Sequence, residues 1–210
     1  MTLGSSEVLE ILDDTSSVLR GHFRLSSGRH SDLFVQKFRA LEHPRHARRF
    51  GEAIAGLFEG RFDVVASPAV GAIVLGFATA LAADARAIFA ERVDDAMTFR
   101  RGFAIEPGER VLVVEDVITT GGSAREVVEL VTRSGGIVAG VGALLDRCDP
   151  AGPPSLGAPL RSLLQLPARS WPPETCPLCA TGAPVDDPGS RRLPQAVSAE
   201  PAPGPSEVAK

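Results

Sequence analysis

Apolar positions recur along this chain in two rhythms, and the alternation between them predicts an order of helices and strands. From Ser5 to Arg20, Val8, Leu9, Ile11, Leu12, Val18 and Leu19 follow helical spacing behind a capping serine. Gly21 to Lys37 is hairpin-like, with a polar turn around Ser26-Ser27-Gly28-Arg29. His43 to Glu59 returns to helical period: Ala47, Phe50, Ala53, Ile54, Leu57 and Phe58 form a stripe, with Arg45, Arg48, Arg49 and Glu52 off it. Phe62 to Ala66 is a short strand that turns through Ser67-Pro68-Ala69-Val70-Gly71 into a small-residue helix ending near Ala83. Arg86 to Glu91 is strand-like, while Arg92 to Gly102 has no apolar period and predicts an exposed, mobile crossing.

The next unit is the densest in chemistry. A turn at Glu106-Pro107-Gly108-Glu109 leads into the apolar run Val111 to Val114, then Glu115-Asp116, Val117-Ile118 and the loop Thr119-Thr120-Gly121-Gly122-Ser123. Val127, Val128, Leu130 and Val131 then mark a helix closed by Gly135-Gly136. Glycines let a backbone wrap closely round a guest, and hydroxyls beside the free amides of a helix start favour a phosphate. Two carboxylates just upstream would repel a bare phosphate, so they suit sugar hydroxyls or a hydrated Mg²⁺. A sugar phosphate satisfies both halves. No lysine follows the glycines and no GxGxxG spacing is present, which excludes a Walker loop and a dinucleotide fingerprint. The turn at Ser67 to Gly71 is a second anion-binding candidate. Ile137 to Leu145 reads as a buried strand ending in Asp146-Arg147, and Leu160 to Leu166 as a last short one. Strands and helices alternating in this way predict an α/β fold, a doubly wound and mostly parallel sheet with ligands at its carboxyl ends.

Bulk composition narrows the partners. The 210 residues are 44% hydrophobic, enough for one catalytic domain over 1–184 with a substantial core. A net charge of −4 argues against a nucleic-acid-binding role. Ala66 to Ala83 is the longest apolar stretch, but Pro68, Gly71 and Gly76 interrupt it, so no membrane span is expected. Met1 to Glu10 lacks the pattern of an export signal, and the expected location is the cytoplasm. Of the three cysteines, Cys176 and Cys179 have metal-knuckle spacing without a second CxxC. A four-ligand zinc site would need His22, His30, His43, His46, Cys148 or a partner chain, and reduced, unligated thiols are the simpler expectation. Val185 to Lys210 holds five prolines and no aromatic residue, which predicts a disordered tail over 185–210.

Val111 to Ser123 resembles the phosphoribosyl-pyrophosphate motif of the type I phosphoribosyltransferases. Phe23 to Phe34 is similar to the F-x-L-x-S-G-R-x-S-x-x-F segment of the orotate phosphoribosyltransferase family, in which it forms an N-terminal hood over the base. The likeness spans about residues 5 to 190 and includes the CPLC appendage at about 167–184. It implies a type I phosphoribosyltransferase fold with a small hood at about 1–40, and transfer of a phosphoribosyl group to orotate, with Mg²⁺, in a homodimer. By the same resemblance, Glu115 and Asp116 hold the ribose hydroxyls and the Mg²⁺, and Val117, Ile118, Thr119, Thr120, Gly121, Gly122 and Ser123 cradle the 5′-phosphate. Ser67, Pro68, Ala69, Val70 and Gly71 form the diphosphate loop, and Thr119, Arg147 and Phe34 bind orotate. Arg92 joins Asp116 as a catalytic candidate, reaching a neighbouring subunit's site from a basic loop. Three departures stand out: many members have Lys at the place of Ser26, the basic loop has arginines but no lysine, and Val70-Gly71 or Ala72 stands where a Tyr-Lys or similar pair is often seen. A different nucleobase acceptor, or a non-catalytic regulator that senses phosphoribosyl pyrophosphate, remain the alternatives.

Overall fold

Strand β6 (Arg110–Ile118) is the axis of the sheet, because Val111, Leu112, Val113 and Val114 are all fully buried. A run with no polar alternation survives only where both faces of a parallel sheet are covered. The computed structural model describes residues 3–25, 27–58, 62–148, 154–167 and 169–188. They fall into two compact units, Met1–Leu19 with Val35–Ala168, and Arg20–Phe34 with Arg169–Lys210.

In the larger unit, α1 (Ser5–Asp14) buries Val8, Ile11 and Leu12, and Ser5 Oγ donates to the Leu163 carbonyl at 2.9 Å. The helix stops well short of the expected Arg20. Thr15 Oγ1 donates back to the Ile11 carbonyl and Ser16 takes a positive φ, so Val18 and Leu19 enter strand β1 (Val18–Arg24) instead. Strand β2 (His30–Val35) is followed by a short α2 (Phe38–Leu41) and by α3 (Pro44–Gly56), begun by a proline in its first turn.

The chain then winds through β3 (Val64–Pro68), α4 (Ile73–Ala83), β4 (Arg86–Val93), β5 (Ala96–Phe99), β6, α5 (Gly122–Arg133), β7 (Ile137–Asp146) and β8 (Leu160–Gln165). The sheet order is β5-β4-β3-β6-β7-β8, with every pair parallel except β4 with β5. From β3 the chain crosses through α4 to one side, and from the adjacent β6 it crosses through α5 to the other. Right-handed crossovers in opposite directions put α4 and α5 on opposite faces and open a crevice at the carboxyl ends of β3 and β6. Helix α5 turns Ala124, Val127, Val128 and Val131 onto Val64, Ala66, Val111 and Val113, completing one core layer.

Arg92 to Gly102, expected as a mobile crossing, is largely ordered as a sheet-edge hairpin. Residues Ala90 to Val93 pair with Ala96 to Phe99, and Asp94 and Asp95 take the two positive φ values a tight hairpin turn demands. The pattern was missed because an edge strand buries only one side chain, here Met97.

The smaller unit contains most of the β1–β2 hairpin, joined by β9 (Ser170–Trp171) in the order β1-β2-β9. A 3-10 turn (Pro173–Thr175) and α6 (Pro177–Ala180) follow. Order continues past Val185, where the tail was expected to begin, since Arg24 N–H donates to the Asp186 carbonyl and Asp186 N–H to that of His22, each at 2.8 Å. The remainder of the expected tail, 189–210, lies outside the described residues, as does Ser26. Among the described residues no helix is long and apolar enough to cross a membrane.

Helix α3 approaches α4 so closely that a Cβ added at Gly51 would meet backbone atoms of Ala78 and lie 2.7 Å from Thr79 N. Ala in place of Gly gains roughly 1 kcal/mol of helix propensity, but forcing two packed backbones apart costs about 1–3 kcal/mol. The steric loss should win, so Gly51→Ala should lower the urea midpoint by the equivalent of up to about 2 kcal/mol. A higher midpoint would show that the helices separate freely.

Candidate functional site

Two loops leave the crevice between β3 and β6. After β3, Ser67 and Pro68 are buried in the strand end, and Ala69 N–H donates to the Ala90 carbonyl at 2.8 Å, pinning the loop to β4. The Ala69–Val70 peptide is cis, and the chain then passes Gly71 into α4. Gly71 lies against the acidic pair: a Cβ there would collide with Asp116 Oδ2 and come within 2.9 Å of Lys37 Nζ. Any larger residue would close this approach, so the glycine lets a backbone amide, the natural anion donor, stand beside the carboxylates.

Glu115 and Asp116 lie inside β6 rather than after it, and both are buried. Asp116 Oδ1 accepts the Val117 N–H at 2.6 Å, and Oδ2 pairs with Lys37 Nζ at 2.7 Å. Glu115 Oε1 accepts the Asp116 N–H at 3.1 Å. Burial, reinforced by the neighbouring Asp116 charge, pushes the Glu115 carboxyl up to about 8. Near neutral pH Glu115 therefore keeps its proton in the ligand-free chain and can donate as well as accept.

The second loop follows β6. Gly121 takes φ 72° and caps α5, while its Cα faces Leu156 and Pro154, which leaves no room for a side chain. Thr119 and Thr120 are exposed beside it, and Gly122 and Ser123 start the helix, whose first amides have no intrahelical partner. Cys148 holds this loop from behind: its thiol, pushed up to about 12 by burial and by Asp146, donates to the Thr119 carbonyl at 3.0 Å. Ile118 pairs with Asp146 across β6 and β7, and Arg147 N–H donates to the Ile118 carbonyl at 2.8 Å. Half-buried Arg147 is thus on the same strand-end rim as Thr119.

One part of the larger unit therefore brings together Ser67 to Gly71, Glu115 to Ser123 and Arg147. Lys37 belongs to it too, and its role was not anticipated. It is one of only two lysines in the chain, with Lys210, and that rarity was the available signal. Arg92 sits in the β4–β5 hairpin, donating to the Asp95 carbonyl at 2.6 Å and pairing with Glu126 of α5 at 2.9 Å. Arg101 forks onto Glu91 at 2.9 and 3.0 Å, while Arg100 is exposed. Phe34 lies in the smaller unit, its ring centroid 5.8 Å from that of Phe23.

No family model matches the chain. It is 47% identical over 188 residues to an orotate phosphoribosyltransferase of Caldanaerobacter subterraneus subsp. tengcongensis, covering 89% of this chain and 98% of that protein. It is 48% identical over 188 residues to the orotate phosphoribosyltransferase of Pelotomaculum thermopropionicum, with the same two coverages, 89% and 98%. Among solved structures, the Mycobacterium tuberculosis orotate phosphoribosyltransferase in complex with 5-phospho-α-D-ribosyl 1-diphosphate is similar with a TM-score of 0.59 and 29% identity, over 77% of this chain and 96% of that one.

The raised Glu115 carboxyl gives stability a pH dependence. A group that binds its proton more tightly in the folded state stabilises fully below its unfolded value, near 4.5, and loses that contribution as pH rises through about 8. Urea unfolding of the ligand-free protein should show stability falling between pH 5 and 9 by on the order of a few kcal/mol, with Glu115→Gln flattening that slope. Parallel slopes for the two proteins would mean that Glu115 is ionised throughout.

Proposed function

Because the chain belongs to the orotate phosphoribosyltransferase family, we propose that it moves the phosphoribosyl group of 5-phosphoribosyl 1-diphosphate onto N1 of orotate, giving orotidine 5′-monophosphate and diphosphate in pyrimidine synthesis. The bond from ribose C1 to the diphosphate oxygen breaks and a bond from C1 to N1 forms. The observation that carries this reading is the placement of the 67–71 turn, Lys37, the Glu115–Asp116 pair and the 119–123 loop around one crevice. Strongly charged ligands bind where donors of complementary kind converge, and here amides and hydroxyls flank carboxylates.

Each group then has a task. The amides of Gly121 to Ser123, with the hydroxyls of Thr119, Thr120 and Ser123, receive the 5′-phosphate at the start of α5, while Val117 and Ile118 carry the strand into that cradle. Glu115 and Asp116 bind the ribose hydroxyls, and Asp116 stabilises positive charge developing on the sugar as the diphosphate departs. Ser67 to Gly71 presents amides to the diphosphate, and Lys37, already next to Gly71, adds a positive charge there. Arg147 offers a forked donor to the orotate carboxylate, with Thr119 beside it. Orotate is an anion with an ionisable ring nitrogen, so orientation and charge stabilisation suffice without a dedicated base.

The acidic pair fits a hard divalent cation, proposed as Mg²⁺, through the substrate rather than by direct ligation: Asp116 is held by Lys37 and a backbone amide, and Glu115 is buried and protonated. When bound, the cation neutralises diphosphate charge. Arg92 is proposed to act in trans in a homodimer, released from Glu126. An apolar stripe on α4 supports the dimer: Val74, Phe77 and Leu81 are 41%, 61% and 68% exposed on one helix face. The cytoplasm is the proposed location.

In a diphosphate-release assay, orotate should saturate the enzyme while adenine, guanine and uracil give no turnover. Arg147→Ala should lower kcat/KM for orotate about 100-fold, with phosphoribosyl pyrophosphate affinity changed by less than about threefold. Turnover of a purine, or binding without turnover of any base, would favour another acceptor or a regulator. Light scattering after gel filtration should show a dimer that Phe77→Glu with Leu81→Glu converts to monomer; a variant that remains dimeric would move the interface elsewhere.

A further inference from the structure

The smaller unit has almost no apolar core. Among its described residues the buried apolar side chains are Phe23 and Leu33, with Cys176, while His22, His30 and Ser31 are buried polar groups. A unit this small needs something other than hydrophobic burial to hold it. The buried polar groups also converge. His22 Nε2 lies 2.9 Å from His30 Nδ1, 3.5 Å from Cys176 Sγ and 3.7 Å from Cys179 Sγ, and His30 Nδ1 lies 3.2 Å from Cys179 Sγ. All four ligand atoms fall within 4.8 Å of one another.

We propose that His22, His30, Cys176 and Cys179 form a structural zinc site that ties the β1–β2 hairpin to the segment after β9. With Zn–N near 2.0–2.1 Å and Zn–S near 2.3 Å, a tetrahedral ion separates its ligand atoms by about 3.3–3.8 Å, so the four spacings of 2.9–3.7 Å need shifts of only a few tenths of an ångström to take one. Protonation points the same way. His22 Nδ1 is 2.9 Å from the Ala183 carbonyl, which can only accept, so Nδ1 carries the proton and Nε2 presents a lone pair. Three groups crowd that lone pair, which can satisfy one hydrogen bond, whereas a single cation satisfies all four donors at once. The Ala183 carbonyl is also the kind of outer partner that orients a metal-bound imidazole.

The local backbone is built to deliver these ligands. His30 pairs with Trp171 across β2 and β9, which returns the chain beside the histidines, and the 3-10 turn then delivers Cys176 at the start of α6. Gly182, at φ 71°, closes the knuckle: its N–H donates to the Cys179 carbonyl at 3.0 Å, and Ala183 N–H to that of Leu178 at 3.2 Å. Cys148, His43 and His46, the other ligands considered from the sequence, stand elsewhere: Cys148 on the Thr119 carbonyl, and the two histidines ring to ring at 5.6 Å. Two thiolates and two imidazoles in a compact tetrahedron select zinc, and four protein ligands leave no open position for catalysis. The site stands independently of the transferase reading.

The test uses the full-length chain, free of any polyhistidine tag, purified under reducing conditions. Elemental analysis should find about one zinc per chain, and Co²⁺ added to metal-depleted protein should give the visible bands and thiolate charge-transfer absorption of a tetrahedral site. Cys179→Ser, altering the exposed member of the set, should lose most of the zinc and melt lower, whereas Cys148→Ser should keep its zinc. A chelator should lower the Tm of the wild type but not that of Cys179→Ser. Should Cys179→Ser fail to fold, wild-type stoichiometry and the cobalt spectrum decide alone. Zinc at background level with no tetrahedral cobalt spectrum, or a Cys176–Cys179 disulfide in the purified protein, would overturn the proposal.

Discussion

Two carboxyl groups held at the end of a strand covered on both faces are the constraint to which the larger unit answers. Buried acids are tolerated only if their charge is reduced or matched, and this chain does both. Glu115 keeps its proton up to about 8, while Asp116 is met by Lys37 at 2.7 Å and by the Val117 amide. The arrangement stores a polar site inside an apolar sheet. On the proposed reading, a ligand that brings hydroxyls to the carboxyls and phosphates to the lysine replaces this internal pairing, so the groups that stabilise the crevice are also the ones proposed to recognise its occupant.

The sheet order makes such a place available. Because β3 and β6 are neighbours whose following helices leave in opposite directions, two loops diverge at their carboxyl ends. Gly71 and Gly121 occupy those loops for different physical reasons. The first admits Asp116 and Lys37 against bare backbone, and the second takes a left-handed conformation while packed against Leu156 and Pro154. Arg147 reaches the same rim because β7 is in register with β6 through Ile118 and Asp146.

Much of this was legible in the residues. The uninterrupted run from Val111 to Val114 announced a strand, and the acidic doublet, the glycines and the hydroxyls behind it are local chemistry that needs no tertiary information. What escaped was set by distant contacts. Lys37 reads as the end of a hairpin until folding brings it to Asp116, far along the chain. Val18 and Leu19 keep helical spacing, yet a backbone reversal at Ser16 sends them into a strand. The β4–β5 hairpin was obscure because edge strands carry little apolar period. His22 and His30 gave no metal signal of their own: eight residues apart on two strands, they become a pair only through strand pairing, and meet Cys176 and Cys179 only through β9.

Asp116 and its neighbours are proposed to form the seat of an activated ribose phosphate. Calorimetric titration of 5-phosphoribosyl 1-diphosphate with Mg²⁺ into the wild type and into Asp116→Asn tests it most directly, with circular dichroism showing that both are folded. Loss of a charged hydrogen bond to a ribose hydroxyl is worth about 1.5–3 kcal/mol, so the variant should bind more weakly by about 10- to 100-fold. Equal affinity in the two folded proteins would contradict the account.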